Sequence, residues 1–577
     1  MKNNIYIQTL GRLLFYANKK KLYKLLLLVL IVAFFEIISI SLMVPFLTLV
    51  SGIESGESSK YIVFIAELFG NEKIEIQKLT IVISIVIISS IFLRIFLNYV
   101  LVKSVFGYGH KLGSEVYNNI LHQNYSYHVE NNSSIVLSGI AKIEDLIEVV
   151  LITISGVSSA ILAILIFFTL VYISPYASII LISVFLALYF SISLFTKEKL
   201  IDNGQQISNS TDARFKSIKE GVGGIRDVII DRLQSVFLSE FNRQDLLLRK
   251  AQISNNIIAP TPRYIVEGLS MLLIIGAGYY VSLSEGGLMP IIPIFGALVI
   301  GVQRLLPMIN QAYHGWALFS GHIEVINDVM KLAELKSPLK LYTKDSTDIT
   351  YKKNIEIKGV NFTYELKNNV IRDLNIKIEK GDVVGVTGVS GSGKSTFVDV
   401  LMGLLSPSEG CILIDGVRLD KSNILSWQSN ISHMSQHIHL VDGTIEDNIA
   451  IGVPHGRIDN ERLAQCIKVA RLDKVVDSME NGVKTSVGED GAKLSGGQRQ
   501  RIGIARMLYK TASLLVLDEA TSALDLNNEL KIITNLKNSF SDVTILIISH
   551  RQEVLDECDY LISFRNGLCK RMEPGVY

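Results

Sequence analysis

Six runs of apolar residues, near 25 to 50, 79 to 102, 145 to 173, 176 to 197, 260 to 283 and 288 to 318, constrain this chain more than any other feature. A helix needs roughly 20 apolar residues at about 1.5 Å each to cross a hydrocarbon layer, and every run reaches that length. Hydrocarbon offers the backbone no hydrogen-bond partners, so the runs are expected as six spanning helices rather than open-edged sheets. All six precede residue 320 of 577, and the remainder reads as a water-soluble α/β domain. The mean hydropathy of +0.36 therefore averages a membrane part with a soluble part. The net charge of +1 is likewise a sum over unlike halves, and no nucleic-acid partner is expected from it. The first run is too long for a cleavable signal and lacks a small-residue cleavage site, so it is expected to stay as a span.

Ahead of the first run stand Lys2, Arg12, Lys19, Lys20, Lys21 and Lys24 with no acidic residue, whereas the links VYISPYAS and SLSEGGLMP contain no Lys or Arg. The positive-inside bias then places the amino terminus, and with it the soluble domain, in the cytoplasm. Two long connections on that side, 103 to 144 and 198 to 259, keep helical patterning and are expected to continue the spans out of the membrane. Between the first two spans, KYIVFIAELF puts Tyr61, Ile62, Ile65, Leu68 and Phe69 near one helical face, which fits either a short surface helix or a partly ordered loop. The polar, proline-containing stretch Lys331 to Thr347 marks a boundary: membrane domain 1–330, linker 331–350, soluble domain 351–577. Cys411, Cys466, Cys558 and Cys569 all lie in the soluble part without C-x-x-C spacing, which suits a reducing compartment and neither disulfides nor zinc.

Charges inside the spans stand out, because an arginine at mid-bilayer costs about 2.5 to 3.5 kcal/mol on insertion scales. Arg94 and Arg304 each lie about 23 Å inward from the outer ends of their spans, and Arg263 sits near the inner end of its own. Two uses compete for them. They could snorkel to the inner interface, with Arg263 pairing to Glu267 one turn on, or they could form a cationic surface for a phosphate-bearing head group. Glu36, the acid of the first span, is placed to orient one of them.

The soluble domain contains GVSGSGKS, Gly388 to Ser395, after the strand-like DVVGVTG and before the helical pattern FVDVLMGLL. Strand, glycine loop and helix in that order form a phosphate cradle. Its glycines Gly388, Gly391 and Gly393, with Ser390 and Ser392, let backbone N–H groups close around phosphates. Lys394 reaches the β and γ oxygens, and the hydroxyl of Ser395, followed by Thr396, suits magnesium. Further on, SLLVLDEA ends a buried-strand pattern with Asp518, fit to hold magnesium, and Glu519, fit to orient or deprotonate an attacking water. The strand TILIIS delivers His550 to its end, where it could sense a γ-phosphate.

LSGGQ, Leu494 to Gln498, lies between the phosphate loop and the Asp/Glu pair, and with the other pieces in this order the soluble part resembles the ABC ATPase domain. With six spans and long cytoplasmic loops, nearly the whole chain resembles an ABC exporter half-transporter. The expected fold class is therefore an α-helical membrane domain of type I exporter form followed by an α/β P-loop ATPase domain. The resemblance also implies adenine stacking on Tyr364, a magnesium and coupling role for Gln436, and roles for Asp525 and for TSVGEDG before the signature. It implies ATP and Mg2+ as cofactors. It further implies a homodimer in which Ser495 and Gly497 of one copy close over the phosphate loop of the other, with both composite sites hydrolytic because Glu519 and His550 are present. The loops around Tyr125 to Asn132 and Gly221 to Val228 become the coupling elements.

SISLMVPFLTLVSG, APTPRYIVEGL and QRLLPMIN together look like the flippases of lipid-linked oligosaccharides that serve bacterial protein N-glycosylation. That similarity implies a polyprenyl-pyrophosphate-linked glycan moved from the inner to the outer leaflet of a bacterial inner membrane. The family's basic cavity residues map onto Arg94, Arg263 and Arg304, but Gln311 stands where a further arginine could follow Arg304. Exporters of lipid A, drugs or peptides are the alternative, and an ABC-type regulator or channel is a third reading. A peptide exporter with an amino-terminal cysteine protease is not expected, since the first cysteine of this sequence is Cys411. A soluble ABC ATPase fails on the six spans.

Overall fold

The computed structural model describes residues 19–51, 76–282, 292–336, 348–364, 370–519 and 524–575. The chain divides into two compact units, Met1–His122 with Asn131–Lys336, and Gln123–Glu130 with Ser337–Tyr577. The segment KYIVFIAELF lies outside the described residues, as does most of the expected linker.

The first unit is helical. Its elements are α1 (Lys19–Ser41), α2 (Met43–Ser51), α3 (Ile76–Leu121), α5 (Ser133–Ile173), α6 (Pro175–Gly223), α7 (Ile225–Ile230), α8 (Gln234–Ile258), α9 (Thr261–Ser282), α10 (Ile292–Gly321) and α11 (Ile323–Ala333). The short α4 (Tyr125–Glu130) groups with the second unit. Among the described residues six helical stretches are long and apolar enough to cross a membrane, matching the six sequence runs. The helices α3, α5 and α6 run well past their apolar stretches, as the patterning of 103–144 and 198–259 predicts.

Local chemistry sets the tight link between α5 and α6. Ser174 ends one helix and precedes Pro175, which opens the next, where a missing N–H costs nothing. Ser178 then donates to the carbonyl of Leu170 at 2.8 Å and locks the corner. A close helix approach joins α5 to α10. A Cβ on Gly156 would stand 2.9 Å from the carbonyl of Gln311, and one on Gly315 would stand 3.0 Å from the carbonyl of Ile152. Small residues matter here because packing, rather than water exclusion, holds helices together in lipid.

Past the apolar stretches, polar groups take over. The Nζ of Lys142 on α5, a nearly inaccessible side chain, lies 2.8 Å from Asp212 of α6 and 2.9 Å from Asp328 of α11, and donates to Ser208 at 2.9 Å. A buried ammonium is tolerable only with such partners. Asn203 of α6 donates to Asn255 of α8 at 2.8 Å, and Asn255 donates to the carbonyl of Gly321.

The second unit holds two sheets. The strands β1 (Asn354–Phe362), β2 (Ile371–Glu379), β4 (Glu409–Ile414) and β5 (Val417–Arg418) form an antiparallel sheet in the order β2-β1-β4-β5. The other, ordered β10-β9-β3-β8-β7-β6, uses β3 (Val383–Gly388), β6 (Ile431–Met434), β7 (Leu514–Asp518), β8 (Thr544–Ile548), β9 (Tyr560–Arg565) and β10 (Leu568–Met572). It is parallel from β9 through β6, with β10 as an antiparallel edge. VVGVTG, LLVLD and TILII are near-continuously buried, the pattern of parallel strands covered on both faces. One core packs the antiparallel sheet and the helix Lys394–Leu401 against this sheet, and Phe397 meets Phe564 within it.

Gly315→Leu should drive α5 and α10 apart and destabilise the first unit by about 1–3 kcal/mol, the usual cost of overpacking. A melting temperature in detergent unchanged from wild type would show that the approach at Gly156 is not needed.

Candidate nucleotide site and an intramembrane charge cluster

Parallel strands present their carboxyl ends on one side of the sheet, and ligands of such sheets bind there beside a topological switch. Here β3 lies between β8 and β9. The loop after β3, Asp518 at the end of β7, His550 after β8 and Gln436 after β6 therefore reach the same edge. Register sets their level, since Asp518 stands opposite Ile548.

The loop has the backbone that a phosphate cradle needs. Gly388, Gly391 and Gly393 have φ of 144°, 78° and 106°. A Cβ on Gly388 would lie 2.4 Å from the carbonyl of Phe564, so that position has room for glycine alone. The helix α12 (Lys394–Leu401) starts directly after Gly393, and its first N–H groups face the loop side. Lys394 is buried, and its ammonium donates to the carbonyls of Gly388 at 2.6 Å and Val389 at 3.2 Å. Burial pushes its pKa down, against the opposing pull of Glu519 and Asp518. The hydroxyl of Ser392 is buried without a hydrogen-bond partner among the described residues. An orphaned hydroxyl, a glycine loop and a helix start fit a polyphosphate. Tyr364 stands at the rim of the cradle, edge-on to Phe362 and 3.4 Å from the hydroxyl of Thr396.

Glu519 forms the centre of the second group. It directly follows β7 with φ of 46°, a strained value for a side-chain-bearing residue, and its N–H donates to the carbonyl of Ile548. Its carboxylate accepts from Gln436 Nε2 at 2.6 Å and lies 3.0 Å from His550 Nε2. Sequence spacing named these three residues separately. Their direct contact was not legible, because 83 residues separate Gln436 from Glu519. Asp518 is pushed above the ordinary carboxylate range by burial first and by Glu519 second. The donor set Ser395, Gln436 and Asp518 supplies one carboxylate and neutral oxygens, which fits magnesium completed by phosphates and water. No cluster of three or more His, Cys, Asp or Glu occurs among the described residues.

Ser495 caps the helix α13 (Gly496–Tyr509): its hydroxyl accepts from Gln498 N, and Gln498 Oε1 accepts from Ser495 N at 2.8 Å. Ser495 is exposed, and among the described residues no hydrogen bond joins it or Gly497 to the loop Gly388–Thr396. Asp525 caps Leu526–Ser539, its carboxylate accepting from Asn528 N at 3.2 Å and from Asn528 Nδ2 at 2.6 Å. In TSVGEDG, Asp490 has φ of 47° and accepts from Leu440 N.

Asp399, one turn beyond Ser395, escaped the sequence reading because a lone acid inside a helix gives no signal. Burial, then the charge of Asp518, raises its pKa to about 6.

The arginines of the spans separate into two arrangements. Glu36 of α1 is fully buried, and its Oε2 accepts from Arg304 Nη1 of α10 at 2.6 Å. Its Oε1 lies 2.8 Å from Arg94 Nε of α3 and accepts from the hydroxyl of Ser90. The Arg94 contact is an ion pair without hydrogen-bond alignment, and Arg94 Nε and Nη2 are buried with no acceptor among the described residues. Arg263 instead pairs with Glu267 one turn along α9 at 2.7 Å, on an exposed face. No bond among the described residues brings it to the other two.

Two family models match the chain: one described as ABC transporter over residues 371–522, and one described as ABC transporter transmembrane region over residues 22–300. The chain belongs to the ABC transporters and has the form of an exporter half-transporter, a membrane domain fused to a nucleotide-binding domain. It is 35% identical over 289 residues to the uncharacterized ABC transporter ATP-binding protein YwjA of Bacillus subtilis, covering 50% of this chain and 48% of that one. It is 39% identical over 224 residues to the ATP-dependent lipid A-core flippase of Bordetella avium, covering 39% of this chain and 37% of the relative. With the flippase of that name from Polaromonas sp. it shares 28% over 422 residues, 71% of this chain and 68% of the relative. The chain thus spans about half or less of the first of these curated relatives. A solved structure of a bacterial Atm1-family ABC exporter with ATP bound superposes with a TM-score of 0.77, covering 96% of both chains at 19% identity, which establishes the fold. Two of these three relatives are named for lipid A-core flipping, and none of the three for oligosaccharide flipping in protein N-glycosylation.

Asp399 carries a pH prediction. Its pKa lies above the unfolded value, so the stability tied to its neutral form is present below about pH 4 and lost as pH rises through 6. Asp399→Asn removes that loss and should stabilise the nucleotide-free protein at pH 8 by about 1–2 kcal/mol after screening of a partly exposed group, with little gain at pH 4. Unfolding followed by the fluorescence of buried Trp427 at both pH values checks it.

Proposed function

We propose that this chain is half of an ATP-driven exporter that moves a phosphate-bearing lipid from the inner to the outer leaflet of a bacterial inner membrane, its ATPase domain cytoplasmic. The observation that carries the reading is the Glu36 cluster. Two guanidiniums from different spans face one carboxylate, which leaves a positive charge inside the apolar part of the chain. Guanidinium forks match phosphate oxygens and stay charged at any relevant pH. A polyprenyl-pyrophosphate-linked oligosaccharide is the substrate we favour, with Arg94 and Arg304 at the pyrophosphate and Arg263, near the inner end of its span, at the entry side. A lipid A-core glycolipid is the second reading, supported by the similarity to flippases named for it.

The ATP reaction divides among this chain's residues as follows. Backbone N–H groups of Gly388–Thr396 and the ammonium of Lys394 hold the phosphates, and Tyr364 stacks on the base. Ser395, Gln436 and Asp518 hold magnesium, which when bound neutralises phosphate charge. Glu519 orients the attacking water and takes its proton. His550 and Gln436 restrain the Glu519 carboxylate in a strained backbone position, so its direction is fixed before water arrives. A second copy supplies Ser495 and Gly497, so the working unit is a homodimer.

Glu519→Gln should keep ATP binding and slow hydrolysis about a hundredfold or more, since it removes the base and leaves the cradle. Lys394→Ala should instead weaken ATP binding itself. Equilibrium binding and steady-state hydrolysis, measured on both variants, separate the two roles, and near-normal turnover in Glu519→Gln removes it from the mechanism.

For the substrate, Arg94→Ala and Arg304→Ala should leave basal hydrolysis intact and abolish both flipping and stimulation by the cognate lipid in reconstituted vesicles, whereas Arg94→Lys keeps part of each. Vesicles with a polyprenyl-pyrophosphate glycan or with lipid A distinguish the two substrates. Normal flipping of both lipids by the alanine variants would overturn the assignment of these arginines.

A further inference from the structure

We infer that Glu36 is a resident counter-anion, which occupies the arginine pair between transport events and competes with the lipid phosphate for it. The inference rests on the phosphate-lipid reading of Arg94 and Arg304 above.

Three observations lead there. Glu36 is fully buried on α1, a span with no guanidinium of its own near it, and both its oxygens are used. Oε2 takes Arg304, while Oε1 takes Arg94 and the hydroxyl of buried Ser90. One carboxylate thus spans arginines from two other helices, as a phosphate group with oxygens in two directions would. The second observation is an imbalance in quality. Arg304 is well aligned, but Arg94 reaches Glu36 by proximity alone and keeps Nε and Nη2 without an acceptor among the described residues. Buried N–H groups of a guanidinium left unbonded cost free energy, and an anion with more oxygens than a carboxylate would satisfy them. The third is exposure. The arginine side chains remain 41% and 29% exposed, whereas the carboxylate is closed off, so an incoming anion meets the open part of each arginine side chain first and reaches the covered Nε and Nη2 of Arg94 as it displaces Glu36.

Charge then sets the consequence. With Glu36 ionised the cluster carries one excess positive charge, and without it two. A transporter gains nothing from holding its cargo tightly in every state, because tight ground-state binding lowers the concentration for half-saturation while slowing release. The resident carboxylate lowers the hold of the arginines on a phosphate and is ready to retake them when the head group leaves. Glu36 is therefore a positioning residue that tunes affinity against turnover, not a group that handles the lipid.

The test measures lipid-stimulated ATP hydrolysis and flipping in vesicles holding the full-length protein, with a polyprenyl-pyrophosphate lipid in one arm and lipid A in the other. Glu36→Gln should lower the half-maximal lipid concentration about three-fold or more and lower the maximal flipping rate by a similar factor, since the second positive charge is no longer offset. Glu36→Asp keeps the charge but is one methylene too short to bridge both guanidiniums, and should shift both quantities the same way by less. Either variant carries the test if the other fails to assemble. A purely structural carboxylate predicts something else: a lower melting temperature with the half-maximal concentration unchanged or raised, and that result overturns the inference. If wild type responds to one of the lipids and the Glu36 variants do not shift, only the competition falls and the phosphate-lipid reading stands. If wild type responds to neither lipid, the reading itself falls and the inference with it.

Discussion

A chain in hydrocarbon has no water to bond its N–H and C=O groups or to solvate its charges, and the first unit follows from that constraint. Its spans are helices because helices satisfy their own backbone. Two of them approach closely where Gly156 and Gly315 leave room, because in lipid close contact replaces the hydrophobic drive. Charge obeys the same rule more strictly. Arg94 and Arg304 are tolerated because Glu36 meets both, and Arg263 because Glu267 lies one turn away. Where the helices leave their apolar stretches, the buried Lys142 can afford two carboxylates, and three helices are tied at one point.

The second unit answers to a different constraint, the geometry of a parallel sheet. Strand ends gather on one edge, so residues far apart in sequence become neighbours without any contact having to be built between their loops. Gln436, Glu519 and His550 each follow a different strand and meet at one carboxylate, which accepts a hydrogen bond from Gln436 and lies 3.0 Å from His550 Nε2. The glycine loop sits beside them because β3 neighbours β8. The loop and the carboxylate are in this way separated in space but fixed to one rigid support, as the proposed division between holding phosphates and aiming a carboxylate requires.

Much of this was legible in the sequence, and the reasons differ by element. The six spans follow from length and hydropathy, which need no tertiary information, and the phosphate loop from glycine spacing beside a buried strand. The pairing of Arg263 with Glu267 was equally open, since one helical turn fixes it. The link between Gln436 and Glu519 was not, because register between non-adjacent strands leaves no mark in either segment. Asp399 left none either: its displaced titration comes from what packs around it, not from its neighbours in the chain.

Periodicity, composition and local motif spacing thus determined the helix count, the two-part organisation and the chemistry of the loop, all properties set by residues within a few turns of one another. Tertiary structure alone decided which charges share a partner. Depth along separate spans placed Arg94 and Arg304 at similar levels, but depth says nothing of rotation about a helix axis. Packing fixed that rotation, and it turned Arg94 and Arg304 toward Glu36 and left Arg263 on its own helix.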